Sequence, residues 1–195
     1  MQALREAILQ DGHGLGKDIV KVDMFLNHRL ETGLLMDMGK AFYEHFSQKP
    51  VDMILTIETS GIAIAMTTAI AFGNLPVVFA KKHPESELPA IMDKGADYYS
   101  PVYSYTHGQR NLVTIKKDYL PSGLNVLIVD DFLANGEAAY GLIDIAKQAG
   151  CSIQGIGICV EKGFQPGGKG LREAGYDLKS LAVITAIKDG KLTLA

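Results

Sequence analysis

The chain of 195 residues is 47% hydrophobic and 21% charged, ordinary proportions for one soluble domain with a sizeable core. Its formal charge of −3 at pH 7 supplies no global basic field, so nucleic acid is not an expected partner. No apolar run approaches the roughly 18–20 residues needed to cross a bilayer, which excludes a helical membrane span.

The first stretch, "MQALREAILQ", is charged and amphipathic; it predicts a helix and not a signal peptide. The segment "KVDMFLNHRL" (21–30) and a second helical stretch complete an N-terminal addition over residues 1–50. "VDMILTI" (51–57) is a continuous apolar strand, followed by the loop "ETSG" and an alanine-rich helix ending at Gly73. "PVVFA" (76–80), "VLIVDD" (126–131) and "IQGIGICVE" (153–161) are three more buried strands, with a helix from about Glu137 to Gln148 between the last two. Near-continuous Val/Ile/Leu runs alternating with helices predict a parallel sheet covered on both faces, an α/β fold. The stretch 97–120 alternates, is rich in Tyr and holds the turn-forming pair His107-Gly108, which predicts an antiparallel hairpin or mobile flap. Cys151 and Cys159 match no metal spacing and are expected to be buried free thiols, which suits a reducing cytoplasm.

In an open parallel sheet, ligands lie beyond the carboxyl ends of the strands. There "VLIVDDFLANGEAA" (126–139) places Asp130 and Asp131 side by side, then a loop of small residues, then a helix start. Gly136 permits positive φ, and free N–H groups at a helix N-terminus make an anion site suited to phosphate. The bland alternative is that the acids merely end a strand and Asn135 caps the helix. No GxxxxGK[ST] is present, and the GxG at Gly155 to Gly157 falls inside a strand, so neither a P-loop nor a dinucleotide fingerprint is spelled. Two acids beside a phosphate loop suit a ribose 5-phosphate, whose hydroxyls donate strongly to carboxylates.

Four hydrophobics, two acids and a small-residue loop resemble the phosphoribosyl pyrophosphate (PRPP) signature of type I phosphoribosyltransferases. Asn135-Gly136 in place of the commoner threonine-glycine resembles the bacterial xanthine phosphoribosyltransferases within that family. "KVDMFLNHRL", "TIETSGIAIA" (56–65), "VVFAKKH" (77–83), "VYSYT" (102–106) and "GICVEKGFQPG" (157–167) resemble that family's segments in the same order. The resemblance implies a single domain: hood elements over 1–50, a core over 51–162 with a flap about 97–117, and a C-terminal hood and strand segment over 163–195.

Carried over by position, Ala134, Asn135, Gly136, Glu137 and Ala138 would hold the 5-phosphate, and Asp130 and Asp131 the ribose. Thr59, Ser60 and Gly61 match a loop that offers N–H groups to diphosphate and that often carries a strained non-proline peptide in the family. Lys81 and Lys82 would meet the same group. Val20, Asn27 and Lys162 match base-contacting positions, with Phe132 or Phe164 as candidate ring contacts. Each has a plainer alternative: Thr59 or Ser60 as a helix cap, the lysines as solvated charges, the tyrosines of 98–105 as strand packing, Asn27 as a turn residue.

The implied reaction is transfer of ribose 5-phosphate from PRPP to N9 of xanthine, giving xanthosine 5′-monophosphate and diphosphate in purine salvage. Mg²⁺ is implied as a substrate-bound cofactor, with no protein metal cage; the implied assembly is a cytoplasmic homodimer. No residue is assigned as acid or base catalyst; Glu58 suits a loop-stabilising role better. The alternatives are another purine base (guanine, hypoxanthine or adenine) or a PRPP-sensing regulator, for which the first fifty residues leave no room for a DNA-binding module.

Overall fold

Among the residues described, the chain opens with α1 (Gln2–Asp11), a hairpin of β1 (His13–Leu15) and β2 (Ile19–Lys21), a π-helical turn at Asp23–Asn27, and α2 (Thr32–Phe46). Then come β3 (Met53–Ile57), α3 (Gly61–Ala71), β4 (Val77–Pro84), β5 (Asp97–Ser104) and β6 (Gln109–Lys116). The last part holds β7 (Asn125–Leu133), α4 (Glu137–Gln148), β8 (Ser152–Lys162), α5 (Gly167–Glu173), β9 (Leu178–Lys188) and β10 (Lys191–Leu194). This computed structural model describes residues 1–84, 93, 95–104 and 109–195, with the backbone alone at Ser104 and Gln109. The turn expected at His107-Gly108, and Tyr105 and Thr106 of the expected flap, lie outside the described residues.

Among the described residues, eight strands form one sheet in the order β10-β9-β8-β7-β3-β4-β6-β5. The five from β9 to β4 are mutually parallel, while β10, β6 and β5 pair antiparallel at the margins. Every residue of β3 is buried, as a strand covered on both faces requires. Ile54 joins the core on one face, with Phe42, Phe46, Ile64, Leu127 and Val129. Met53, Leu55 and Ile57 join the other, with Ile128, Leu142 and Ile145. Helix α2 turns Leu35, Met38, Phe42 and Phe46 inward at helical spacing. Phe42 and Phe46 are fully buried, and each such burial stabilises by roughly 1.5–3 kcal/mol. The strand glycines explain how they fit: a Cβ on Gly155 would lie 2.3 Å from the Phe46 ring, and one on Gly157 2.9 Å from the Phe42 ring. The GxG is therefore a packing device.

The two ends of the chain make one lobe. Leu4 and Ile8 of α1 share a core with Leu181 and Leu192, the Met1 ammonium donates to Leu181 O at 2.5 Å, and Gly14 N–H donates to Gly190 O at 2.9 Å. The connection β3–α3–β4 runs one way across the sheet, and β7–α4–β8–α5–β9 runs the other. The direction reverses between β3 and β7, and a crevice opens beyond the carboxyl ends of strands at such a point. Among the described residues, no helix is long and apolar enough to cross a membrane.

Candidate active site

A cleft of about 750 Å³ lies at that reversal. Its floor is the segment from Asp130 to Ala139, where β7 passes into α4. Gly136 takes φ 94° and ψ 2° at the N-cap position, a left-handed conformation that favours glycine. A Cβ there would also lie 2.9 Å from the Tyr140 ring. Asn135 does not cap the helix: the cap position is Gly136 and carries no side-chain hydrogen bond. The first-turn N–H groups of α4 are thus left to the cleft, where the helix dipole favours an anion. From behind, Gly167 N–H donates to Ala134 O at 3.0 Å and fixes the loop to the start of α5. Arg172 on α5 donates twice to buried Glu161, at 2.8 and 2.7 Å. Burial opposes the Glu161 charge, but bonds from Arg172 and Ser180 outweigh it and hold the carboxyl below its usual range.

Asp130 and Asp131 line the cleft although they are only 5% and 7% exposed. Asp131 N–H donates to Asp130 Oδ1 at 3.0 Å, and the Ser60 hydroxyl donates to the Asp131 side chain. Burial pushes the Asp130 carboxyl well above the usual carboxylate range, the Asp131 charge pushes it further, and Lys82 opposes both. Burial raises Asp131 too, against hydrogen bonds from Asp130, Ser60 and the backbone. Two adjacent buried carboxyls titrate as a unit, and burial disfavours the charge on both.

The loop between β3 and α3 contains a cis peptide at Glu58-Thr59. Glu58 Oε1 accepts the Lys82 N–H at 2.8 Å, and Glu58 N–H donates to Ala80 O at 3.0 Å, so Glu58 clamps this loop to β4. That agrees with the loop-stabilising reading of Glu58. Of the three loop residues singled out by sequence, Ser60 lines the cleft, whereas Thr59 is exposed and Gly61 buried behind it. Ser60 occupies the N-cap position of α3 without making a cap bond, its hydroxyl being turned to Asp131. Lys81 and Lys82 separate as neighbours on a strand must. Lys82 lines the cleft and Lys81 is exposed outside it.

At the far end, Lys162 closes β8 and lines the cleft with Val20 and Phe132. Its ammonium donates to Asp18 O at 2.7 Å and stands 5.8 Å from the centre of the Phe132 ring. Burial pushes the Lys162 amine down, and the nearby Asp18 charge partly offsets that. Asn27, at the end of the π-helical turn, is exposed and does not line the cleft; neither does Phe164. From the antiparallel arm, Val102 and Tyr103 complete the wall. Sequence reading did not single out Asp18, Ile19 and Gln165, which also line it. Asp18 and Ile19 belong to a hairpin too short to show a period, so nothing local marked them. Gln165 stood within a stretch already quoted, but a lone glutamine in a turn carries no chemical signal.

No protein-family model matches the chain. The xanthine phosphoribosyltransferase of Ruminiclostridium cellulolyticum is 50% identical over 193 residues, 99% of this chain and 98% of that protein. That of Bifidobacterium adolescentis is 49% identical over 187 residues, 96% of this chain and 94% of that protein. A solved adenine phosphoribosyltransferase from Saccharomyces cerevisiae, complexed with a bisphosphate and adenine, superposes with a TM-score of 0.70. It is 20% identical and covers 93% of this chain and 99% of its own, a likeness of fold alone. The parallel sheet and marginal arm are thus the type I phosphoribosyltransferase fold, and identity near one residue in two runs from end to end. The chain belongs to the xanthine phosphoribosyltransferase family.

Proposed function

We propose that this protein transfers the 5-phosphoribosyl group of PRPP to N9 of xanthine, releasing diphosphate and forming xanthosine 5′-monophosphate in purine salvage. The observation that carries the reading is one cleft that joins an uncapped helix start, a buried acid pair and a lysine over an aromatic ring. Those three features match phosphate, ribose and an acidic purine in the order in which a nucleotide presents them.

In this reading Ala134 to Ala138 hold the 5-phosphate mainly by backbone, and Asp130 and Asp131 accept the ribose hydroxyls. Ser60 and Lys82 meet the diphosphate; Thr59, Gly61 and Lys81 do not line the cleft and are assigned to that group only by the resemblance. Lys162 and Val20 meet the base, while Asn27, which does not line the cleft, is carried to the base only by the resemblance. The bond from the anomeric carbon to the diphosphate oxygen breaks as the bond to N9 forms, through a transition state of oxocarbenium character, and the imidazole-ring proton of the purine passes to solvent or to the departing diphosphate. The residues orient the partners, exclude water and neutralise the leaving group. Ser60 and the oxygens of PRPP are hard donors that suit Mg²⁺, which would be held through substrate and supply charge neutralisation at the diphosphate. No acid or base catalyst is assigned. Xanthine is more acidic than hypoxanthine or adenine, and a cation with three donors suits its oxo groups.

The working form in this reading is a cytoplasmic homodimer. Met66 and Ile70 of α3, with Tyr43 and Phe79, are large apolar side chains left 39–54% exposed, a surface of the kind a second copy covers. Incubating the purified protein with PRPP, Mg²⁺ and xanthine and identifying the nucleotide by chromatography tests the reaction. Xanthosine 5′-monophosphate is expected; its absence under conditions where PRPP binds would reject the reading.

A further inference from the structure

Two buried side-chain atoms among the described residues have no hydrogen-bond partner, Thr56 Oγ1 and Gln165 Oε1. Thr56 is the more telling because it is fully buried inside the apolar strand β3. Valine has the same shape and would leave no hydroxyl stranded, so a threonine there carries a polar group that packing does not require.

The start of α3 reveals what lies near it. A Cβ built on Gly61 would fall 2.3 Å from Thr56 Oγ1 and 2.7 Å from Asp130 Oδ1. The hydroxyl and the carboxylate oxygen are therefore no more than the sum of those distances, about 5 Å, apart. Only the absence of a side chain on Gly61 leaves that space open. Asp130 Oδ1 already accepts the Asp131 N–H at 3.0 Å, and a carboxylate oxygen has a second lone pair to offer. The groups facing Asp130 are Asp131 on its own strand, Lys82 on β4 and the Cys159 thiol on β8, with Ser60 turned to Asp131. Lys82 favours the Asp130 charge by field alone, so the orphan hydroxyl is the neutral donor at hand to fix the ionised form.

We propose that Thr56 is a positioning residue for Asp130, its hydroxyl donating to Asp130 Oδ1 when the carboxylate ionises to receive the ribose hydroxyls. This rests on the reading of Asp130 as a ribose-binding group. Burial beside Asp131 disfavours that ionisation, and the added hydrogen bond offsets it while fixing which way the carboxylate faces.

The test compares Thr56→Val with Thr56→Ser in the full chain, by diphosphate release against pH, calorimetric PRPP affinity and ¹³C NMR titration of the aspartates. Thr56→Val should raise the Asp130 titration and the acidic limb of the PRPP-dependent rate by about one pH unit. It should raise the KM for PRPP about fivefold or more, leave the KM for xanthine within about twofold, and leave Tm equal to or above the parent's. Thr56→Ser should keep the parent's pH limb. A Thr56→Val protein with the parent's Asp130 titration and PRPP affinity overturns the proposal, as does a Thr56→Ser protein that titrates like Thr56→Val. A parent that binds PRPP but transfers to no base would reject the reaction while the NMR and affinity arms still decide Thr56. A parent that does not bind PRPP would remove the ribose site and this proposal with it.

Discussion

The two ends of the cleft are built on different terms. The phosphate and ribose end is nine consecutive residues, Asp130 to Ala138, on one strand–loop–helix, and much of what it offers is main chain. The base end is gathered from distant segments: Lys162 meets the carbonyl of Asp18, 144 positions away, over a ring contributed by Phe132. A site made of backbone is fixed by the fold and admits little change without loss of the loop. A site made of side chains carried by a small hairpin can be altered one residue at a time. Recognition of PRPP should therefore break abruptly, and recognition of the base by degrees.

The largest break belongs to the acid pair. Asp130→Asn with Asp131→Asn should lower transfer at least a hundredfold, since two charge-assisted hydrogen bonds are worth about 1.5–3 kcal/mol each. Circular dichroism should be unchanged, and near-normal turnover would remove the ribose assignment. The same variant gives a pH signature. A carboxyl whose folded pKa is raised favours the folded state fully below its unfolded value, near 3.8, and loses that contribution as pH rises through the folded pKa. The asparagines do not titrate, so the variant's Tm should gain on the parent's from acid to pH 8. A gap that narrows over that range would contradict the burial argument.

Next comes the loop. Gly136→Val adds a β-branched side chain where φ is 94° and the Tyr140 ring is 2.9 Å from its Cβ. Calorimetry should find PRPP affinity weaker by about thirtyfold or more, roughly 2 kcal/mol, a larger effect than any fall in folding stability. An unchanged Kd would show that the helix start does not hold phosphate.

The smallest effect is expected at the base end. Lys162→Ala removes three donors and a charge but leaves Phe132 and the hood in place. The KM for xanthine should rise about tenfold, equivalent to about 1.4 kcal/mol, with PRPP affinity nearly unchanged. If xanthine is used as well as by the parent, the lysine is only a latch on Asp18.

The same contrast governs what the sequence made legible. Strands β3, β7 and β8 could be read because both faces are buried and their apolar runs are unbroken. Strand β9 was legible only as part of a C-terminal hood and strand segment without bounds: Lys179, Ser180, Thr185 and Lys188 interrupt its run, and its second half is exposed beside the short marginal strand β10. The hairpin β1–β2 has three residues a side, too few to show alternation. At the site, the contiguous loop from Asp130 to Ala138 could be read as a unit. The pairing of Lys162 with Asp18 could not, because packing of the hood creates it. Two signals were present and unused. Strand alternation separates Lys82 from Lys81, and the one hydroxyl in "MILTI" marks Thr56.

The central claim is that one cleft couples a PRPP site to a base site made for xanthine. The most direct measurement is kcat/KM for diphosphate release from PRPP and Mg²⁺ with xanthine, guanine, hypoxanthine and adenine, each at matched pH and ionic strength. The account predicts xanthine first, guanine and hypoxanthine between, and adenine lower by several orders of magnitude; adenine used as well as xanthine, or better, would contradict it.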